Sequence, residues 1–353
     1  MKRLKIAQVV SLQESVPPKG KNGLEFMVYY LTEELVKRGH QVTLFATADS
    51  KTSAKLVSVV RSPAMKKWNF GWSSIDYSMA SMVKVSEMAD QFDVIHTHIG
   101  HTAYYFANLI KTPIIETMHS PIHKAKKIVK DYYSSDKIGR YKKIHHVFVS
   151  GSQRNNSLLM ESSSVIHNGI DMKSFLFRDN AEDYYAYLGY ITPNKGPHLA
   201  VRAAKIAGVK LKIAGSFKGC EEYFKKQIKP YLKKGYIEYV GVVNPRERNK
   251  LLGGAKALLI PLQWEEPFGL VMIEAMACGT PVIGFDRAAV PEIVKNGNTG
   301  FVVKDVKEMA RAIKKIGEIK REDCRSHVEK YFTMQKMAEE YEKVYNKVIN
   351  NFK

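Results

Sequence analysis

Short apolar segments alternate with segments of helical period along almost the whole chain, and this alternation limits the fold more than any other feature. A strand joined to a parallel neighbour needs a crossover of a dozen or more residues, usually a helix, so the pattern predicts parallel sheets in α/β units. In the first half, residues 4–10, 41–46, 93–96, 113–117 and 147–149 read as strands, with helical stretches around 75–91 and 103–110. Leu24, Met27, Val28, Leu31 and Leu35 share one helical face, and Gly39 follows as a stop. A second series at 184–189, 209–214, 236–240, 258–262, 281–285 and 301–303 leaves room for helices between its strands.

The expected fold class is therefore α/β, with two Rossmann-like domains facing across a cleft. The expected boundaries are 1–175 for the N-terminal domain and 176–332 for the C-terminal domain. A charged, tyrosine-rich helix at 333–353 is expected to pack back on the N-terminal domain. A length of 353 residues suits two domains of ordinary size. Ligands of open α/β sheets sit beyond the carboxyl ends of the strands, so chemistry is expected in the loops that follow them.

Lysine and arginine number 55 against 35 acidic residues, a net charge of +20. The excess is even: 24 basic and 14 acidic residues up to position 175, 31 and 21 after it, so each half carries +10. No basic arm for nucleic acid stands out, and nucleic acid is not an expected partner. A globally positive surface favours anionic substrates or an anionic membrane. The 45% share of hydrophobic residues excludes a largely disordered chain. Cys220, Cys278 and Cys324 stand alone, which argues against a disulfide framework or a zinc site and fits a reducing compartment. The basic start runs into an apolar segment interrupted by Lys5 and Gln8, a strand rather than a signal peptide, and no run of 18 apolar residues occurs. A cytoplasmic location is expected, peripheral at the inner face of a membrane if membrane contact is made.

The segment from Trp264 to Ala275, WEEPFGLVMIEA, is the most informative. It follows the strand at 258–262, and Pro267 suits the first turn of a helix. The amides of Phe268, Gly269 and Leu270 would then point from a helix N-terminus, where phosphate oxygens bind well. Glu266 and Glu274 would lie about 12 Å apart along that helix, one on a sugar and the other on a ribose, with a diphosphate between. The plain alternative is a helix-start glutamate and a solvated one. The turn from Gly189 to Pro197 ends the first strand of the second half, and Lys195 in it can neutralise a diphosphate; alone it would equally be a solvated lysine in a turn. The loop 17–23, with Asn22 and Gly23, precedes a helix in the first half but lacks a full GxGxxG. His96, His98, His101 and His119 cluster after two strands; an HxH without a carboxylate pattern reads as a polar sheet edge more than a metal centre, and no metal is expected. Of the four, His119 is the best functional candidate.

Together these segments resemble glycosyltransferase family 4, the retaining, nucleotide-sugar-dependent enzymes of the GT-B fold. The likeness runs from the loop between Pro17 and Glu25 through Lys37 to Thr43, Asp93 to His96, Val165 to Asp171, the Gly189 to Gly196 turn, and the segment Ala275 to Ile283. Its most specific element is Glu266-x7-Glu274 with Pro267-Phe268-Gly269. The resemblance implies that Glu266 contacts the donor sugar and Glu274 the ribose, and that the backbone of Phe268, Gly269 and Leu270 lies along sugar and diphosphate. It implies further that Lys195 holds the diphosphate beside Gly189, that His119 lines the reaction centre, and that Asn22 and Gly23 face acceptor and phosphate. Two departures stand out: Tyr190 occupies the usual place of an arginine, and Asn22-Gly23 replaces Gly-Gly. Loss of the arginine removes a bidentate phosphate ligand.

The expected activity is transfer of a hexosyl group from a UDP- or GDP-sugar to a hydroxyl of a glycan, lipid-linked or small-molecule acceptor, with retention and without a cofactor. Two other readings stay open from sequence: an NDP-sugar-modifying enzyme of similar fold, such as an epimerase, and a basic nucleic-acid- or membrane-binding protein. Lys225, Lys226, Lys233 and Lys234 on one helical segment, and the cationic and aromatic stretch 66–72, motivate the last.

Overall fold

The computed structural model describes residues 2–18, 23–63, 74–121, 144–157, 162–232 and 235–352. The chain divides into two units, Met1–Gly169 with Met334–Lys353, and Ile170–Thr333.

The first unit is built on a parallel sheet of β1 (Lys5–Val9), β2 (Gln41–Thr47), β3 (Lys55–Val60), β4 (Val94–Thr97), β5 (Ile114–Met118), β6 (Ile144–Phe148) and β7 (Ser163–Val165), in the order β3-β2-β1-β4-β5-β6-β7. Ile6 on β1 pairs with both Val42 and Val94. Continuous apolar runs suit strands covered on both faces, and Ile6, Val9, Leu44, Phe45, Ile95, Val147 and Phe148 are fully buried. Strands β3 and β7 were not anticipated. Both are partly exposed sheet edges: β7, SSV, has a single apolar residue, whereas β3, KLVSVV, has four, none of them fully buried. Two helices connect the early strands, α1 (Gly23–Lys37) and α2 (Ser74–Ser86), and α3 (Gly151–Asn155) follows β6, capped by the Ser150 side chain. The helix expected at 103–110 is instead a 3-10 segment, Gly100–Tyr105, whose Gly100 amide donates to the buried Glu116 carboxylate at 2.7 Å.

The second unit holds β8 (Tyr185–Leu188), β9 (Leu211–Ala214), β10 (Ile237–Gly241), β11 (Leu258–Ile260), β12 (Val282–Phe285) and β13 (Gly300–Val303), parallel and ordered β10-β9-β8-β11-β12-β13. Between them run α4 (Pro197–Ala207), α5 (Glu221–Gln227), α6 (Lys229–Leu232), α7 (Pro245–Gly254), α8 (Leu270–Ala277) and α9 (Val290–Ile293). The helices α10 (Val306–Lys315) and α11 (Arg321–Tyr331) close the unit. Its start lies at Ile170, before the expected residue 176, because Ile170 forms a bridge with Thr333 and its amide donates to the Phe332 carbonyl at 2.9 Å. The carbonyl of Phe175 likewise accepts from Arg325 Nη1 at 2.9 Å.

The last helix, α12 (Met334–Phe352), belongs to the first unit. Its buried Glu342 accepts from Arg38 Nε at 2.9 Å and Nη2 at 2.7 Å and lies 2.8 Å from His40 Nε2. A buried carboxylate needs such partners, and these two follow directly on α1.

Candidate active site

In the second unit strand order reverses between β8 and β11, the place where open α/β sheets bind ligands. The loops 189–196 and 261–269 leave these two strands and touch: the Gln263 amide donates to the Asn194 carbonyl at 2.8 Å. Gly196 makes the approach feasible. It has φ of 74°, and a Cβ there would lie 2.0 Å from the Pro261 carbonyl oxygen. Gly189 is similarly close-packed against the next loop, since a Cβ on Gly215 would meet the Gly189 oxygen at 1.7 Å.

This contact brings Lys195 and Glu266 together. The Lys195 ammonium donates to Glu266 Oε2 and stands 4.5 Å from the centre of the Trp264 ring. Trp264 Nε1 donates to the same carboxylate oxygen at 2.9 Å. Both charged side chains keep some exposure, 23% for Lys195 and 15% for Glu266, so each can reach a ligand. Tyr190 has its side chain in solvent while its carbonyl accepts from Tyr187 Oη at 2.9 Å.

The 264–275 segment departs from its expected shape. Helix α8 begins at Leu270, with Gly269 as a left-handed N-cap at φ of 85°, so Pro267 and Phe268 precede the helix. Glu266 therefore lies in a loop and Glu274 on a helix, and a helical rise does not describe their separation. The proline had suggested an earlier helix start, but the chain needs the left-handed turn at Gly269 first. First-turn amides at Leu270 point out of the helix end. The Phe268 ring is buried, edge-on to Phe332 at 6.0 Å.

Glu274 is met by a residue that sequence reasoning missed. Asn244 caps α7, accepting from the Glu247 amide at 3.0 Å while its own amide donates to Glu247 Oε2 at 2.7 Å. One turn on, Arg248 Nη1 donates to Glu274 Oε1 at 2.8 Å, and its guanidinium lies 5.2 Å from the Phe175 ring centre. Burial raises the Glu274 carboxyl above its ordinary range, with Arg248 pulling the other way. The capping signature at 244–247 marks the helix start in sequence; nothing local marks the partner of Arg248.

In the first unit the reversal lies between β1 and β4. His119 follows β5, partly buried, with Nε2 2.9 Å from His98 Nδ1. Desolvation lowers its pKa to about 4. His96 and His98 are buried, and each has both ring nitrogens within hydrogen-bonding distance of a protein partner, while His101 is exposed. Among the described residues no group of three His, Cys, Asp or Glu side chains could hold a metal ion. Gly23 opens α1, and Asn22 lies outside the described residues, as do the stretch 66–72, Lys233 and Lys234. Glu25, two residues into α1, is buried with Oε1 accepting from Ser11 Oγ at 2.9 Å and Oε2 unpartnered. The Lys225 and Lys226 side chains pair with Glu222 at 3.9 and 3.7 Å, and α5 ends before α6 begins, so the single basic helix expected there is not formed.

Two sequence families match in tandem: glycosyltransferase family 4 over residues 21–174 and glycosyl transferases group 1 over residues 171–332. The chain belongs to the family 4 type of GT-B glycosyltransferases. Among relatives of this glycosyltransferase, spore coat protein SA of Bacillus subtilis is 24% identical over 52% of this chain and 59% of that protein, so the chain spans little more than half of it. Phosphatidyl-myo-inositol mannosyltransferase of Mycolicibacterium smegmatis is 25% identical over 88% of this chain and 84% of that one. HepE from Anabaena, solved with UDP-glucose, superposes with a TM-score of 0.74 at 15% identity, covering 98% of this glycosyltransferase and 100% of that chain. That likeness concerns the fold. No described helix is long and apolar enough to cross a membrane.

Proposed function

We propose that this glycosyltransferase moves a hexosyl group from a UDP- or GDP-linked sugar to an acceptor hydroxyl with retention of anomeric configuration. The observation that carries the proposal is the cluster of Lys195, Glu266 and Trp264 at the carboxyl ends of β8 and β11, ahead of the α8 N-terminus. Departure of a nucleoside diphosphate builds negative charge, and fixed cationic and amide groups stabilise it best. Lys195 and the first-turn amides of α8 supply them. Glu266 orients the sugar through its hydroxyls, and Glu274, held by Arg248, receives the ribose.

The family likeness supports a role for His119 at the reaction centre and for Gly23 toward the acceptor. No side chain is assigned as a covalent nucleophile: the leaving phosphate helps deprotonate the acceptor on the same face of the sugar. No cofactor enters this scheme. The acceptor is a glycan, a lipid-linked molecule or a small molecule. The mannosyltransferase relative, named for a phosphatidylinositol acceptor, and the charge of +20 support an anionic acceptor met by a cytoplasmic enzyme at the inner face of a membrane.

The test is release of UDP or GDP from a panel of donor sugars, with and without acceptor, for the unmodified protein, Lys195→Ala and Glu266→Ala. Acceptor-dependent release lost in both variants is expected, and an α-linked product from an α-linked donor. Unchanged turnover in both variants, or an isomerised donor in the absence of acceptor, refutes the proposal.

A further inference from the structure

Beneath His119 lies a chain of buried polar side chains that begins on β1 and ends on the C-terminal helix. Gln8 Oε1 is 3.0 Å from His98 Nε2, and its Nε2 is 3.2 Å from Tyr345 Oη and 3.3 Å from His96 Nδ1. Tyr345 Oη is 2.8 Å from His96 Nδ1, His96 Nε2 is 2.7 Å from Thr117 Oγ1, and that oxygen is 2.9 Å from Tyr341 Oη. Gln8 and His96 have no exposed surface, and His98 is 5% exposed.

Counting donors along this chain leaves one arrangement for the Gln8 amide as it is oriented. An amide oxygen only accepts, so His98 must carry its proton on Nε2. Burial holds the His98 imidazole neutral, far below its ordinary pKa, which leaves Nδ1 with a lone pair. That nitrogen faces His119 Nε2 at 2.9 Å, so His119 must be the donor there. A neutral His119 then has a bare Nδ1, and this nitrogen has no other partner among the described residues. Turning the Gln8 amide over reverses every step and puts the proton on His119 Nδ1. In the observed orientation Gln8 Nε2 donates to the Tyr345 hydroxyl, which can in turn donate to His96 Nδ1.

We infer that Gln8 and His98 are positioning residues that hold His119 as its Nε2–H tautomer, with Tyr345 of the C-terminal helix accepting from the Gln8 amide. His119 thereby offers the reaction an acceptor at Nδ1, suited to a sugar or acceptor hydroxyl. The catalytic meaning of the tautomer rests on the placement of His119 in the proposed function; the tautomer itself does not.

Long-range proton–nitrogen correlation on the full chain labelled with 15N histidine separates bare from protonated ring nitrogens, and His119→Asn assigns the signals. The expected spectrum has His119 Nε2 protonated and Nδ1 bare. A proton on Nδ1 in the unmodified protein overturns the inference, whatever the turnover. Gln8→Leu is expected to mix the two tautomers and lower kcat about tenfold with donor KM little changed. Gln8→Glu, which keeps an acceptor for His98, restores both. Gln8→Leu with an unaltered His119 spectrum also overturns the inference; if that variant does not fold, the unmodified protein's spectrum decides. Full turnover in His119→Asn alongside the expected spectrum leaves the tautomer standing and refutes only the catalytic placement of His119.

Discussion

Lys195 and Glu266, 71 residues apart in sequence, form an ion pair in which the carboxylate oxygen also accepts the Trp264 indole N–H. The groups assigned to the diphosphate and the sugar of the donor are thus partners of each other. A donor that draws the ammonium to phosphate exchanges one anion for another, and the indole N–H keeps the carboxylate in place. Lys195→Ala and Glu266→Ala should each lower acceptor-dependent nucleotide release by about a hundredfold or more. Because the two residues act as a unit, the double variant should lose far less than the product of the single losses. Nucleotide release at saturating acceptor measures all three; multiplicative losses would show independent roles.

Arg248 should matter for the ribose. Its removal leaves the partly buried Glu274 carboxylate without a counter-charge, so the carboxyl, already raised by burial, rises further. A protonated Glu274 loses one hydrogen-bond acceptor. Nucleotide affinity in Arg248→Met should therefore decline at a higher pH than in the unmodified protein as the solution is acidified, with a loss of about tenfold at neutral pH. Calorimetric titration with UDP and GDP measures this. A 2′,3′-dideoxy nucleotide, lacking the hydroxyls, should show little difference between the two proteins.

Tyr190 gives a gain-of-function test. Its side chain is in solvent and its carbonyl accepts from Tyr187. Arginine can enter without repacking the core. Tyr190→Arg should place a second cation beside Lys195 and tighten donor binding by about tenfold, the scale of one charge-assisted hydrogen bond. The check is KM for the donor sugar together with the inhibition constant of the free nucleoside diphosphate; no change in either would place the diphosphate elsewhere.

The first unit should be most stable at about pH 7, where the proton held by folded Glu116 balances those bound by the unfolded histidines. Burial pushes Glu116 up to about 8 from an ordinary 4.5, so between these values the folded chain keeps a proton that the unfolded chain has released. Stability then falls with rising pH, by up to about 1.4 kcal/mol per pH unit, and levels off above pH 8. The histidines act in the opposite sense. Burial holds His96 and His98 far below 6.5, His119 and His145 at about 4 and His146 at about 3, so acid below 6.5 protonates the unfolded chain first. Stability falls there as pH drops. Thermal unfolding from pH 5 to 9 should show both limbs, and Glu116→Gln should flatten the alkaline one. An unmodified protein with no alkaline decline refutes a neutral Glu116.

Much of the fold and some of the site were legible in the sequence, for identifiable reasons. Apolar runs such as Leu258 to Ile260 announce buried strands because both sheet faces must be covered. Lys195 could be placed in a loop after a strand because Gly189 and Gly196 interrupt the pattern there, whereas Glu266 was expected at the start of a helix. The edge strand β7 escaped, since three residues with one apolar side chain give no period, while β3 carries a legible apolar pattern in Leu56, Val57, Val59 and Val60. The start of α8 was misplaced because Pro267 is compatible with a first turn, while the left-handed turn at Gly269 comes after it.

By itself the sequence determined the alternation of strands and helices, the two parallel-sheet halves and the loop that holds Lys195. These follow from local period and from backbone freedom at glycine and proline. Only the tertiary structure decided which groups meet: Lys195 with Glu266 and Trp264, Arg248 with Glu274, Glu342 with Arg38 and His40, and Tyr345 with Gln8 and His96. Charge and hydrogen-bond partners act through space over a few ångströms, and residues up to 337 positions apart reach that distance only when sheets and helices have packed.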